Sequence, residues 1–131
     1  MAGGKTWLTA LAPQFLVDDL AVMMAFYRDV LGFTFGFVYE GFYAVGQRDG
    51  LQLHLKEAPK NLSERTRRRE HEHRDAYGDV EGIEAFYDNC VAKGAKILKP
   101  LAGTAWGTKD FYLEDPEGYI VGFGSSAASE K

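Results

Sequence analysis

The chain has 131 residues, 46% apolar and 26% charged, a composition that fits one globular domain with its own core. A net charge of −4 argues against the basic face of a general nucleic-acid-binding protein, so we expect no nucleic acid partner. The single cysteine excludes an intrachain disulfide and a cysteine-based zinc site. Without a signal-peptide core or an apolar run of ~20 residues, we expect a cytoplasmic protein with no membrane partner.

The first half of the chain predicts the element order β-α-β-β-β. An extended segment from Thr9 to Val17 leads to an N-cap at Asp18-Asp19, and apolar residues at helical spacing follow until Gly32. Aromatic residues then recur at every second position from Phe33 to Tyr39, which is a strand pattern. After two turns at glycines, Leu51, Leu53 and Leu55 alternate with polar residues, so the leucines should pack beneath the helices.

The second half predicts the same order, less sharply. We expect a strand from Glu70 to Tyr77, a helix capped by Asp79, and a short strand from Lys96 to Lys99. A closing hairpin turns at Asp115-Pro116-Glu117-Gly118, whose residue types suit the successive positions of a β-turn. Cys90 lies on the apolar stripe of the predicted helix and should be a packed core thiol.

An internal repeat supports two copies of one module. Ala25-Phe26-Tyr27 recurs as Ala85-Phe86-Tyr87 at an offset of 60, and Asp19 and Asp79 precede these tripeptides at equal distances. We therefore divide a single domain into a first module at 8–57, a linker at 58–69, a second module at 70–124 and a tail at 125–131.

Two stretches resemble the vicinal oxygen chelate superfamily, which includes glyoxalase I, extradiol dioxygenases and bleomycin-resistance proteins. They are Leu16-Val17-Asp18-Asp19-Leu20 with Phe26 to Phe33 in the first module, and Trp106-Gly107 with Asp115 to Gly118 in the second. The Trp-Gly pair is most similar to the bleomycin-resistance branch, and the resemblance extends from Leu8 to Gly124.

The resemblance implies an α+β fold of two βαβββ modules, the glyoxalase/bleomycin-resistance fold, with a cup-shaped mixed sheet and the helices outside. It also implies a homodimer whose binding grooves lie between subunits, and we expect Phe37 and Tyr39 to extend to the dimer contact.

The resemblance further implies four metal-ligand positions, one on each of four strands. In this sequence they fall on Ala12, Gln52, Glu72 and Gly122, so two of the four carry no donor side chain. Because a catalytic metal needs three or four protein ligands, we expect neither a metal site nor a cofactor.

Strand alternation selects the residues that could line the cup. Gln52 and His54 alternate with the apolar leucines and should point inward, and Glu72 and Arg74 should do the same on the fifth strand. Trp106 precedes the closing hairpin and could form an aromatic wall of the pocket or anchor its loop on the core. These five residues are the predicted ligand-binding set.

Two other patterns allow competing interpretations. His71 and His73 would share a strand face, and a one-residue shift of the alignment would bring one of them to a metal-ligand position; otherwise they belong to a solvated strand entry. The basic run from Arg65 to Arg69 could bind phosphate, but in an acidic chain it fits a solvated linker better.

The expected function is a metal-free small-molecule-binding protein that sequesters an aromatic or cationic compound, an antibiotic being one example. Its only other expected partner is a second copy of the chain. One alternative is a metal-dependent lyase or dioxygenase of the same superfamily, similar to glyoxalase I, with one divalent metal. Another is a metal-free enzyme that uses His54 and Glu72 as acid and base.

Overall fold

The computed structural model describes residues 6, 9–58, 74–105 and 107–126, and within them one element order occurs twice. The first half consists of β1 (Gln14–Val17), α1 (Leu20–Asp29), β2 (Thr34–Tyr39), β3 (Tyr43–Arg48) and β4 (Leu51–Glu57). The second half consists of β5 (Ala76–Asp79), α2 (Ile83–Ala92), β6 (Lys96–Gly103), β7 (Thr108–Glu114) and β8 (Ile120–Ser126). The predicted α+β fold of two βαβββ modules is confirmed.

Each half forms its own four-stranded mixed sheet. The strand orders are β1-β4-β3-β2 and β5-β8-β7-β6. In both sheets the first strand runs parallel to the last strand of its module, and the remaining neighbours are antiparallel. The identical pairing pattern means that the two halves are structural duplicates.

One hydrophobic core joins the two halves on the side of the sheets that carries the helices. Leu53 and Leu55 are buried there as predicted, together with residues of both helices and of β7 and β8 such as Met23, Cys90 and Phe111. Leu51 is 66% exposed, so its predicted packing beneath a helix is wrong. The reason is that Leu51 follows the β3–β4 turn at the end of the sheet, beside an open cleft.

The helix ends show where the repeat argument succeeded and where it failed. The Asp19 side chain accepts a hydrogen bond from Val22 N and caps α1 as predicted. Asp79 does not cap α2, because it still belongs to β5, and Gly82 is the N-cap, with φ +76°. The helices therefore begin 63 positions apart, and the matching tripeptides lie on different turns. The duplication is real, but the spacing used to infer it was wrong.

Several predicted bounds differ from the structure or lie outside it. β1 begins at Gln14 rather than Thr9, and β6 continues to Gly103 instead of stopping at Lys99. The fifth strand, predicted from Glu70 to Tyr77, spans Ala76–Asp79. Most of the predicted linker, the end of the tail, Trp106 and residues 70–73 lie outside the described residues. α1 and α2 have ten residues each, and no helix of the described chain has the length and apolar character to cross a membrane.

Candidate functional site

The first group of site residues lies on the helix-free face of the first sheet, the face opposite the helices. On β4, Leu53 and Leu55 point to the core, so Gln52 and His54 point to the helix-free face. In the sheet register His54 pairs with Gln14 of β1 and with Val45 of β3. The predicted inward orientation of Gln52 and His54 agrees with this register.

A hydrogen-bonded chain fixes the orientation of the His54 ring. Gln14 Nε2 donates to the Tyr43 hydroxyl over 2.9 Å, and that hydroxyl lies 2.7 Å from His54 Nδ1. The contact with Tyr43 uses Nδ1, and which of the two atoms donates depends on the tautomer of the ring. The other ring nitrogen, Nε2, is the one that His54 offers to a ligand on this face.

The second group lies on the second sheet and centres on an arginine between two tyrosines. The Arg74 guanidinium carbon is 4.5 Å from the Tyr77 ring centroid and 5.6 Å from that of Tyr112. Lys99 Nζ lies 5.4 Å from the Tyr112 ring. A cation held over aromatic rings gains electrostatic attraction from their quadrupoles. We call Arg74, Tyr77, Tyr112 and Lys99 the cationic–aromatic cluster.

Two glycines of β8 make room for this cluster. A Cβ at Gly122 would lie 2.8 Å from Arg74 Cδ, and a Cβ at Gly124 would overlap the Tyr77 hydroxyl and the Asp110 carboxylate. Without side chains, β8 lets the neighbouring residues fold over the strand. The absence of a side chain at Gly122, noted in the sequence as a missing metal ligand, thus has a packing role.

The Tyr77 hydroxyl anchors the cluster to β7. It donates to Asp110 Oδ1 over 3.1 Å, and Asp110 is buried. Partial burial, the hydrogen bond to Asp110 and the negative charge of that carboxylate raise the Tyr77 pKa to about 12, against a smaller opposing effect of Arg74. Tyr77 is therefore a neutral hydroxyl at physiological pH and serves as a donor, not as a base.

The described residues do not fit a divalent metal. Among them, no three His, Cys, Asp or Glu side chains come close enough together to hold an ion. Ala12 supplies no donor, and the place above Gly122 is covered by the cationic Arg74, which would repel a metal cation. His71, Glu72 and His73 lie outside the described residues.

The structure divides the predicted ligand-binding set between two sheets. Gln52 and His54 belong to β4 of the first sheet, while Glu72 and Trp106 lie outside the described residues. Arg74 lies two residues before β5 of the second sheet, so its predicted place on the fifth strand is wrong, although its side chain covers Gly122 of β8. Sequence reasoning missed Tyr43, Tyr77, Asp110, Tyr112 and Lys99. For β7 a signal existed, because Asp110 and Tyr112 alternate with the buried Phe111 and Leu113.

The comparisons with known proteins agree with this architecture. The model of the glyoxalase/bleomycin resistance protein/dioxygenase superfamily matches residues 9–123. The chain belongs to this superfamily. The resemblance found in the sequence is thereby confirmed. A comparison with curated protein sequences finds no significant match.

Several solved structures share the fold at low sequence identity. TioX from Micromonospora sp. ML1 is 16% identical, with a TM-score of 0.72 over 89% of this chain and 98% of that one. A glyoxalase-related enzyme from Clostridium phytofermentans is 16% identical, with a TM-score of 0.73 over 96% and 99%. The bleomycin-binding protein of bleomycin-producing Streptomyces verticillus, complexed with copper(II)-bleomycin, is 17% identical, with a TM-score of 0.71 over 91% and 97%. Since this superfamily fold carries an enzyme and a binding protein, the fold does not decide between catalysis and binding.

Proposed function

We propose that this superfamily member is a metal-free binding protein that sequesters a small planar aromatic compound on the helix-free face. The observation that carries the proposal is the cationic–aromatic cluster, in which Arg74 lies across two tyrosine rings above Gly122. Guanidinium planes and tyrosine rings both stack on flat ligands. An antibiotic with fused aromatic rings is one compound of this class.

The charge of the cluster restricts the class of ligand further. Arg74 holds a positive charge over the rings of Tyr77 and Tyr112, so a planar compound with an anionic or acceptor group fits better than a cationic one. The Gln52 amide supplies a donor for an acceptor atom of a ligand, and His54 offers its ring nitrogen Nε2 beside it. The expectation of an aromatic ligand is therefore kept, and that of a cationic ligand is dropped for this face.

A titration with a matched pair of dyes tests the proposal. Anthraquinone-2-sulfonate should bind the untagged protein, as measured by calorimetry, more tightly than an anthraquinone that carries a trimethylammonium group. Replacing Arg74 by alanine should weaken binding of the sulfonate roughly tenfold or more, because both the stacking and the charge are lost. Arg28→Ala is the matched control, since Arg28 is exposed on α1 and pairs with Asp29.

Two results would contradict the proposal. An unchanged affinity in the Arg74→Ala protein would place the ligand elsewhere. Near-stoichiometric divalent metal in the purified protein, lost when His54 is replaced, would instead favour the metal-dependent lyase or dioxygenase, and substrates of those enzymes would then be assayed.

We also propose that the chain forms a homodimer through β2. This strand lies at the edge of its sheet, and its residues Phe37, Val38 and Tyr39 are about half exposed. Tyr39 contacts Phe42 of the next turn edge to face at 5.8 Å, which extends the apolar surface. Large exposed apolar groups on an edge strand are typical of an association surface. Phe37→Glu should convert a dimer into a monomer in sedimentation velocity, whereas Val91→Glu on α2 should leave the mass unchanged.

A further inference from the structure

A cleft of 590 Å³ lies between the β3–β4 turn and the start of α2. Its walls are mainly apolar and come from both halves of the chain; they include Leu31, Phe33, Leu51, Phe86 and Phe123. Since α2 forms one wall, the cleft opens on the helix side of the sheets, away from the cationic–aromatic cluster. Its volume falls in the range that holds a drug-sized molecule.

The mouth of the cleft carries more negative than positive charge. Three carboxylates line it, from Asp49, Asp79 and Glu81, against one guanidinium from Arg48. Asp49 pairs with Arg48 over 3.2 Å, so these two charges largely cancel. Asp79 and Glu81 are exposed and form no ion pair within the described chain. Among the described residues, they therefore give the entrance a net negative potential.

We infer that this cleft is a second ligand site and that it takes a lipophilic cation, a compound with bulky apolar groups around one positive charge. The apolar walls would bury the hydrocarbon surface, and Asp79 and Glu81 would attract the charge. An anionic compound would meet two carboxylates of the same sign. The inference does not depend on the ligand proposed for the helix-free face, because it concerns other residues on the other side of the sheets.

Contacts within the chain hold the residues around the cleft in place. Arg48 is anchored, since its Nη1 donates to Leu31 O over 2.7 Å and its guanidinium carbon lies 5.3 Å from the Phe86 ring centroid. Gly82 and Ala85 at the start of α2 place no bulky side chain at the mouth. Leu51 is 66% exposed there, an apolar surface that a ligand could cover.

Tetraphenylphosphonium is a suitable probe, and two-dimensional amide NMR of the full chain locates its binding. Saturable shifts should appear at Gly50, Gly78 and Gly82, which flank or line the cleft. The amide signals of Gly122 and Gly124, on the helix-free face, should not shift. Shifts confined to these two β8 glycines would overturn the inference, as would an absence of saturable shifts.

Variants of both signs at one exposed position give the sharpest test. Leu51→Arg should weaken tetraphenylphosphonium binding and Leu51→Glu should strengthen it, each by about three- to tenfold. The double variant Asp79→Asn/Glu81→Gln should weaken it by a similar factor. Asp88→Asn, an exposed carboxylate on α2 outside the cleft, is the matched control and should change nothing.

If Leu51→Arg and Leu51→Glu bound tetraphenylphosphonium with the same affinity, the cleft would not recognise a cation. Ala85→Trp fills the mouth from an exposed position of α2, so it should abolish binding without unfolding the chain. Binding retained in that variant would also overturn the inference. So would amide shifts of the cleft residues that follow protein concentration in the absence of probe, because they would assign the cleft to a second copy of the chain.

Discussion

The two halves of this molecule place a helix against a hairpin of the opposite half, and the two junctions differ sharply. In the first junction, α1 meets the β7–β8 hairpin, and Tyr27 donates from its hydroxyl to the buried Asp115 over 2.7 Å. In the second, α2 meets the β3–β4 hairpin. Cys90 stands at the α2 position equivalent to Tyr27, and Arg48 is the hairpin residue nearby.

The first junction is closed by a polar network. Asp115–Tyr119 joins β7 to β8, and Glu117 in that loop accepts from the backbone of Asp18 at 2.6 Å and Asp19 at 2.8 Å. Tyr119 stacks on Phe15 with the ring centroids 4.4 Å apart and the planes at 6°. The residual cleft at this junction measures 280 Å³.

The second junction has only Asp49 and Gly50 between its strands, and the larger 590 Å³ cleft remains there. Its hairpin contacts α2 through the Arg48 guanidinium over the Phe86 ring, whereas Asp115 of the other hairpin accepts a buried hydrogen bond from Tyr27. Leu51 is exposed where Tyr119 is buried in the other half. A duplicated fold thus uses one junction to hold the halves together and leaves the other free for a ligand. Changes at the two junctions should accordingly have unequal effects.

The largest difference is expected for alanine at the two aspartates. Asp115 accepts from the Tyr27 hydroxyl and from the amides of Glu117 and Tyr119, so Asp115→Ala leaves several buried donors without a partner. The free energy of unfolding, measured with urea, should fall by about 3–5 kcal/mol. Asp49→Ala in the exposed second turn should lower the unfolding free energy by less than about 1 kcal/mol. That loss should come chiefly from the backbone, because Asp49 has φ +54°. Equal losses would contradict the unequal roles of the junctions.

The first junction should also respond to pH. Burial raises the pKa of the Asp115 carboxyl to about 7, although the hydrogen bonds from Tyr27, Tyr119 and Glu117 favour its charged form. A pKa that is raised in the folded state gives stability that is complete below the unfolded value near 4 and is lost as the pH rises through about 7.

Asp115→Asn should remove this dependence. Between pH 4 and pH 7 the wild type should lose roughly 2–3 kcal/mol of unfolding free energy relative to Asp115→Asn. Urea denaturation at closely spaced pH values measures it, and Asp49→Asn should show no comparable change. A difference that stays constant with pH would mean that Asp115 titrates alike in the folded and unfolded chain.

Much of the fold could be predicted because its signals are local. Alternation on β4 and a capped helix ending before Gly32 follow directly from residue types at short spacing. The start of α2 could not be predicted, since Asp79 has the chemistry of a cap and only tertiary packing makes Gly82 the cap instead. The matching tripeptides at 25–27 and 85–87 then supported the wrong offset of 60 between the two modules.

The candidate site was less predictable because its contacts join distant positions. Strand alternation alone predicted that His54 points inward, but its hydrogen bond to Tyr43 depends on strand register. Arg74 lies just before β5, and it meets Tyr112 of β7 because β5 and β7 both neighbour β8 in the sheet order. A sequence pattern within one segment carries no information on such a pairing. The same holds for both junctions, where helix and hairpin come from opposite halves.

The smallest effect at the first junction should come from Glu117. Its carboxylate is half exposed and accepts two backbone amides at the start of α1, so Glu117→Ala should lower the unfolding free energy by about 1 kcal/mol. Glu117→Gln keeps one acceptor oxygen and should recover part of the loss. Hydrogen exchange of the Asp18 and Asp19 amides should accelerate in the alanine variant while the amides of α2 keep their protection. Faster exchange in both helices would instead mean that the loop supports the whole domain, and the contrast between a closed and an open junction would then be one of degree.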